Sequence, residues 1–169
     1  VMIVLGLTVG MQPIVGYNFG AQKIDRVKQT LRLGIISGVV ITSSGFVICE
    51  FFPHAVSALF TDSDELINLA VEGIRLAVLM FPFVGAQIVI GNFFQSIGKA
   101  KISIFLSLTR QLLYLLPCLL LFPQWWGLKG VWISMPVSDA LAFVTAVISL
   151  MIYIKKVSKE HPIANKVAE

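Results

Sequence analysis

The chain has 169 residues, of which 57% are hydrophobic and 13% charged, with a formal net charge of +4; its mean hydropathy is +0.88. A soluble domain of this length needs a polar shell that such a composition cannot supply, which points to the membrane class. The basic residues recur in short groups between apolar runs instead of gathering in one patch, which argues against a nucleic-acid surface and fits membrane topology.

Windows of about 20 apolar residues predict an all-α integral membrane protein with five transmembrane helices, over 2–21, 33–52, 76–97, 102–122 and 130–154. The first span carries Gln12, Pro13 and Asn18 at depth, then tips into the basic stretch Lys23 to Lys28, with Gly20 as its expected C-terminal stop. Gly34-x-x-x-Gly38 on the second span is a small-residue packing face. Glu50 near its far end is read as an interfacial carboxylate or a vestibule residue, and His54, just after Pro53, as a solvated interfacial histidine. Asp62, Asp64 and Glu65 suit the positive N-terminal end of a short lead-in helix, where Glu72 and Arg75 fall three apart on one face. The third span holds Pro82, Gln87, Asn92 and Gln95, and the fourth holds Arg110 and Pro117. A turn over Phe122 to Gly127 places Trp125 and Trp126 in an interfacial belt that Trp132 extends. Pro136 and Asp139 lie inside the fifth span, and 155–169 form a tail.

Eleven of the thirteen Lys and Arg lie in three alternate segments: Lys23, Arg26, Lys28 and Arg32; Lys99, Lys101 and Arg110; Lys155, Lys156, Lys159 and Lys166. The other two connections hold only Arg75 and Lys129. By the positive-inside rule, the C-terminus and its tail are expected in the cytoplasm and Val1 towards the outside, in a multi-pass protein of the plasma membrane. The short connections predict one bundle, residues 1–169, of antiparallel neighbours. Val1 opens in mid-helix, so the chain is expected to be the C-terminal part of a longer one. Cys49 and Cys118 fall in apolar runs without metal-ligand spacing and are read as small buried hydrophobes.

No constellation of His, Cys and carboxylates, no phosphate-cradling glycine loop and no nucleophile–base pair suggests an enzyme, and neither a cofactor nor a metal site is expected. Polarity at membrane depth is the remaining signal. A carboxylate such as Asp139 costs about 3 kcal/mol to insert, so it should face the bundle interior. It is a candidate for proton coupling or for pairing a cationic substrate; the alternative is a structural partner for Arg110 or for a backbone donor. Gln12, Asn18, Gln87, Asn92 and Gln95 either line a polar cavity or form interhelical hydrogen bonds. Pro13, Pro82, Pro117 and Pro136 are expected kinks, and so many interrupted spans suggest a bundle that changes shape.

These residues resemble the multidrug and toxic compound extrusion (MATE) transporters. Gly10-Met-Gln-Pro-Ile-Val-Gly-Tyr-Asn-Phe-Gly-Ala21 with Arg26-Val27 is similar to the second helix of their C-terminal lobe. Leu59-Phe-Thr-Asp62 before Glu65-Leu-Ile67 resembles the outer lead-in to the tenth helix, and Gln95-Ser-Ile-Gly-Lys-Ala100 that helix's cytoplasmic end. Ser107-Leu-Thr-Arg-Gln111 to Pro117 resembles the eleventh helix, and Gly127-Leu-Lys-Gly-Val-Trp132 to Pro136-Val-Ser-Asp139 the twelfth. The resemblance implies a transporter of twelve helices in two lobes, exporting small organic, often cationic, compounds by alternating access, with sodium or proton as the coupling ion. This chain would supply helices eight to twelve, an incomplete C-terminal lobe. Its partners would be the missing N-terminal lobe of the same protein, membrane lipid and the exported compounds. Some branches of the family use an acidic residue on helix ten, but this chain has no carboxylate between Leu76 and Gly98; coupling would then rest on Asp139 or on the absent lobe. Two other readings are a lipid-linked saccharide exporter of the same superfamily, disfavoured by the few mid-span Lys and Arg, and a non-transporting membrane interaction subunit.

Overall fold

The computed structural model describes residues 1–160. In chain order its elements are α1 (Met2–Gly20), α2 (Ile24–Phe51), α3 (Pro53–Ala58), α4 (Asp64–Val78), α5 (Phe81–Ser96), α6 (Ala100–Leu108), a π-helical stretch (Thr109–Leu115), α7 (Leu116–Trp126) and α8 (Leu128–Glu160). Among the described residues four helical runs are long and apolar enough to cross a membrane: α1, α2, the continuous Ala100–Trp126 rod and α8. The fifth span is the bent pair of α4 and α5.

Helix α5 is central and packs against α1, α2, α6 and α8. Its apolar side contributes Val89, Ile90, Phe93 and Phe94 to a core completed by Val4, Met11 and Val15 of α1, Val27 and Leu31 of α2, and Ala146 and Leu150 of α8. Lipid offers no hydrophobic gain on helix association, so the seams must rely on close packing. The α2–α5 seam does this with small residues. A Cβ at Gly85 would run into the Gly38 carbonyl oxygen and the Thr42 hydroxyl, and a Cβ at Gly34 would stand 3.2 Å from Val89 of α5 and 2.7 Å from the Met11 sulfur of α1. Thr42 Oγ1 donates back to Gly38 O at 2.9 Å, so it is satisfied inside the seam.

Several boundaries differ from the sequence expectation. Helix α2 begins at Ile24, nine residues before position 33, so the basic Lys23–Arg32 stretch is mostly helix; a cationic helix end can project into water without breaking. Gly20 is the last residue of α1, but the left-handed residue that turns the chain is Gln22, with φ 58°. The span expected as one helix over 76–97 is broken at Leu79 and Met80, and its halves bend by 49°. Pro82 explains the break, since it has no N–H to offer the Val78 carbonyl where α4 ends. The lead-in is correspondingly a full 15-residue helix with Asp64 and Glu65 in its first turn.

The fourth span runs past the expected turn at 122–127. Pro123 sits inside α7, and only Gly127, at φ 54°, reverses the chain. Trp125 and Trp126 are exposed there, whereas Trp132 is half-buried and lies against Gly73 of α4. The fifth span continues as α8 to Glu160, so the start of the expected tail is helix; residues 161–169 of that tail lie outside the described ones.

At the end of the bundle that holds α3, the ion pairs link different helices. Glu50 meets Arg75 at 3.7 Å and Glu72 meets Lys129 at 2.6 Å. Glu72 and Arg75 share a face as the spacing predicts, yet each reaches across to another helix. His54 is exposed. The two cysteines are half-buried free thiols.

Candidate functional site

The polar residues of the spans converge on a cleft of about 330 Å3 between α5, α6 and the π-helical stretch. Helix α5 brings Gln87, Asn92 and Gln95 to it; α6 brings Ser103 and Ser107, and the π stretch brings Arg110 and Gln111. Leu5 of α1 closes one edge. Gln87 and Gln95 lie eight apart and Asn92 between them, so slightly more than two helical turns present all three on one side.

Each side chain's hydrogen bonding is specific. Gln12 Nε2 reaches across from α1 to Asn92 Oδ1 at 3.3 Å, and Asn92 Nδ2 donates to Ile88 O at 2.9 Å. Gln87 is buried and its Oε1 has no hydrogen-bond partner. An unpaired buried amide oxygen costs about 1–3 kcal/mol, which makes Gln87 a costly polar group beside the cleft. Gln95 is exposed on the cleft wall.

At the cleft's far corner stands the ion pair. Arg110 Nε donates to Asp139 Oδ1 at 2.8 Å, and Arg110 Nη2 lies 2.8 Å from the same oxygen. Asp139 is buried and Arg110 half-buried. The pair cancels its own charge, so the cleft offers neutral amides and hydroxyls plus one guanidinium already engaged. Of the two alternatives that the sequence left for Asp139, the geometry realises the partnership with Arg110; the carboxylate does not line the cleft. Tyr114 and Thr145 make a second link between the π stretch and α8, at 2.8 Å between hydroxyl oxygens.

The π stretch sets this geometry. The Leu116 N–H bonds to Gln111 O, five residues back, so the helix is wound one residue wider there. Pro117, one residue on, lacks the N–H that an α-helical turn would need, and a π turn is one way a helix absorbs that loss. Thr109, at the start of the stretch, is buried with its hydroxyl unpartnered. Pro117 thus coincides with a widened turn and Pro82 lies beside the bent junction, while Pro13 and Pro136 sit inside α1 and α8.

Asn18 does not join the cleft. It is buried near the end of α1 and donates to Ile14 O at 2.8 Å, which satisfies its own helix. Ser103, Ser107 and Gln111 were not expected from the sequence as site residues, although their spacing of four puts them on one helical stripe and was the available signal. Among the described residues no group of three or more His, Cys, Asp or Glu could hold a metal ion.

The family model described as MatE matches residues 1–120. The chain belongs to the MatE family. Its relatives include the multidrug export protein MepA of Staphylococcus aureus, 24% identical over 157 residues that make up 90% of this chain and 33% of that protein. A protein of Shewanella oneidensis named as an FAD transporter is 23% identical over 144 residues, 83% of this chain and 31% of that one. Among solved structures, the MATE multidrug transporter DinF-BH is 37% identical with a TM-score of 0.83, covering 88% of this chain and 33% of the other. An inward-facing MATE family transporter superposes with a TM-score of 0.86 at 19% identity, covering 92% of this chain and 37% of that one, a likeness of fold alone. The chain therefore spans about a third of the length of the curated relatives it matches. MatE proteins are membrane transporters and not enzymes, and the apolar helices of this chain make it a multi-pass membrane segment.

Proposed function

We propose that this chain is the helix eight to helix twelve part of a multidrug exporter, working with the rest of its own protein, including an N-terminal lobe, by alternating access. The observation that carries the reading is the 37% identity, over 88% of this chain, to a structure whose name is that of a multidrug transporter. The substrates on this reading are small organic cations, and sodium or proton flow drives their export. Within this lobe Asp139 is the carboxylate available at membrane depth for coupling, and Arg110 holds it in place. The cleft of Gln87, Asn92 and Gln95 serves as a polar surface along the pathway, while Gln12 positions Asn92. Asn18 and the prolines act as local shape elements, with the Leu79–Met80 break beside Pro82 as the joint best suited to bending. The protein sits in the bacterial inner membrane with this chain's C-terminus in the cytoplasm, as its lysines favour.

Reconstituting the complete protein in liposomes and following a fluorescent cationic dye under imposed sodium or proton gradients tests this directly. Dye movement driven by one gradient and abolished by its collapse is the expected result. Dye movement indifferent to both gradients removes the antiport reading. The Shewanella relative named for FAD supports a second reading, a bulky anionic nucleotide substrate; FAD competing with the dye, or moving in its place, would favour it.

A further inference from the structure

Away from the cleft, a cavity of about 650 Å3 opens where the end of α1, the start of α6 and the end of α8 meet. Its rim carries Lys99, Lys101 and Lys156, and no carboxylate lines it among the described residues. None of the three lysines makes an ion pair among the described residues, which contrasts with the opposite end of the bundle, where Arg75 and Lys129 both have acidic partners. The first turn of α6 also begins here, after Gly98 at φ 75°, so the positive end of a nine-residue helix adds to the field. Beneath the rim the walls are mostly apolar, with Ile102 and Phe105 from α6 and Ile152 from α8 beside the hydroxyl-bearing Ser149 and Tyr153; Phe105 is 52% and Ile152 64% exposed. Leu108 and Ile148, likewise exposed, continue these two walls one turn deeper into the span.

We propose that this groove seats an anionic phospholipid, its headgroup phosphate held by Lys99, Lys101 and Lys156 and its acyl chains laid along Ile102, Phe105 and Ile152. Cationic side chains at the mouth and open apolar walls below match the two ends of such a lipid. Basic pockets between spans at the cytoplasmic level bind anionic headgroups by the same attraction. Placing the site in the cytoplasmic leaflet rests on the orientation proposed above; the binding itself does not.

The test uses the complete protein in mild detergent, titrated with phosphatidylglycerol or with phosphatidylcholine of the same acyl chains and read by native mass spectrometry. Phosphatidylglycerol should bind in clear preference. Replacing all three lysines (Lys99→Gln, Lys101→Gln, Lys156→Gln) should weaken it about 100-fold, since each lysine near an anionic headgroup contributes roughly a factor of five. Lys23→Gln with Arg26→Gln, which removes two charges outside the groove, should leave the affinity unchanged. Ile152→Trp, filling the groove with every charge kept, should also reduce binding. Equal binding of the two lipids, or a triple variant that binds like the parent, overturns the proposal. So does displacement by inorganic phosphate at the lipid's own concentration, which would make the ligand a soluble phosphate. If instead another part of the protein fills the groove, Ile152→Trp will destabilise the protein without changing lipid binding, and this too overturns it. Orientation is read separately: a Lys99→Cys variant labelled by impermeant maleimide in inverted vesicles but not in intact cells supports it, and the reverse pattern refutes the orientation while leaving the lipid titration to stand on its own.

Discussion

The two sides of α5 meet their neighbours in opposite ways. Towards α2, Gly85 lets the backbones touch, and Gly34, Gly38 and Thr42 fill the facing surface without a gap. Towards α6 and the π stretch, Gln87, Asn92 and Gln95 hold the neighbouring helix off and leave a polar cleft of about 330 Å3. Small side chains bring helices into contact and give a membrane bundle a rigid seam; longer amides on the same helix keep a space open and supply the hydrogen bonds that make it tolerable in hydrocarbon. One helix therefore serves as both the fixed wall of the lobe and the lining of its cleft, and substitutions on its two sides should behave differently.

The largest effect is expected in the seam. Gly85→Leu must push α2 and α5 apart against backbone atoms, and should cost about 3 kcal/mol or more, seen as a sharp fall in folded yield and in thermal unfolding temperature in detergent. Gly91 is on the same helix but lines the cleft, and no atom lies within 4 Å of where its Cβ would stand. Gly91→Ala should stay within about 0.5 kcal/mol of the parent, and a comparable loss at both glycines would erase the contrast between the two sides.

Next comes the ion pair at the corner of the cleft. Asp139→Ala leaves the Arg110 guanidinium without its partner and should cost about 2–3 kcal/mol. The double variant Asp139→Leu, Arg110→Leu should recover most of that loss, because neither charge is then left alone. Transport separates the structural role from the proposed coupling role: a double variant that regains stability but not gradient-driven dye efflux supports coupling through Asp139. Full efflux by the double variant would reduce the pair to a clamp between the π stretch and α8.

Gln87 offers a smaller effect with an unusual sign. Its Oε1 is buried without a partner, so Gln87→Leu, which keeps the volume and removes the orphaned amide, should leave stability unchanged or raise it by about 1 kcal/mol. Efflux should nevertheless fall, since the cleft loses a hydrogen-bonding group. A variant both less stable and fully active would show that the amide is satisfied in the working protein and belongs to the packing.

Much of this was legible in the chain, and what was missed has physical causes. Long apolar runs and alternating basic groups are strong signals, so the number and approximate place of the spans could be read, and Gly34-x-x-x-Gly38 announced its seam. Polarity at depth pointed to Gln87, Asn92, Gln95, Arg110 and Asp139 because such residues are rare in hydrocarbon. Ser103 and Ser107 were overlooked because a serine in a membrane helix can satisfy itself on its own backbone and carries little signal. Kinks were expected at Pro82 and Pro117, but the forms they take, a break at Leu79–Met80 and a π turn, were hidden for a different reason. A proline predicts that a hydrogen bond is lost, but whether the helix breaks, widens or runs on depends on its neighbours, and Pro82, Pro117 and Pro123 each give a different outcome.

The weakest effect belongs to the end of the bundle opposite the lysine groove. Lys129 and Glu72 approach to 2.6 Å, but both side chains are substantially exposed. An exposed pair contributes about 0.5 kcal/mol at low salt, and screening removes most of it at high salt. Lys129→Gln should therefore lower the unfolding temperature slightly in dilute buffer, and the difference from the parent should vanish in 1 M salt, where the Debye length is about 3 Å. The Arg110–Asp139 pair, with its carboxylate buried, should keep its contribution under the same titration. If the two pairs respond alike to salt, then the corner of the cleft is as open to ions as the surface is, and Asp139 could not sustain the isolated, exchangeable charge that a coupling role demands.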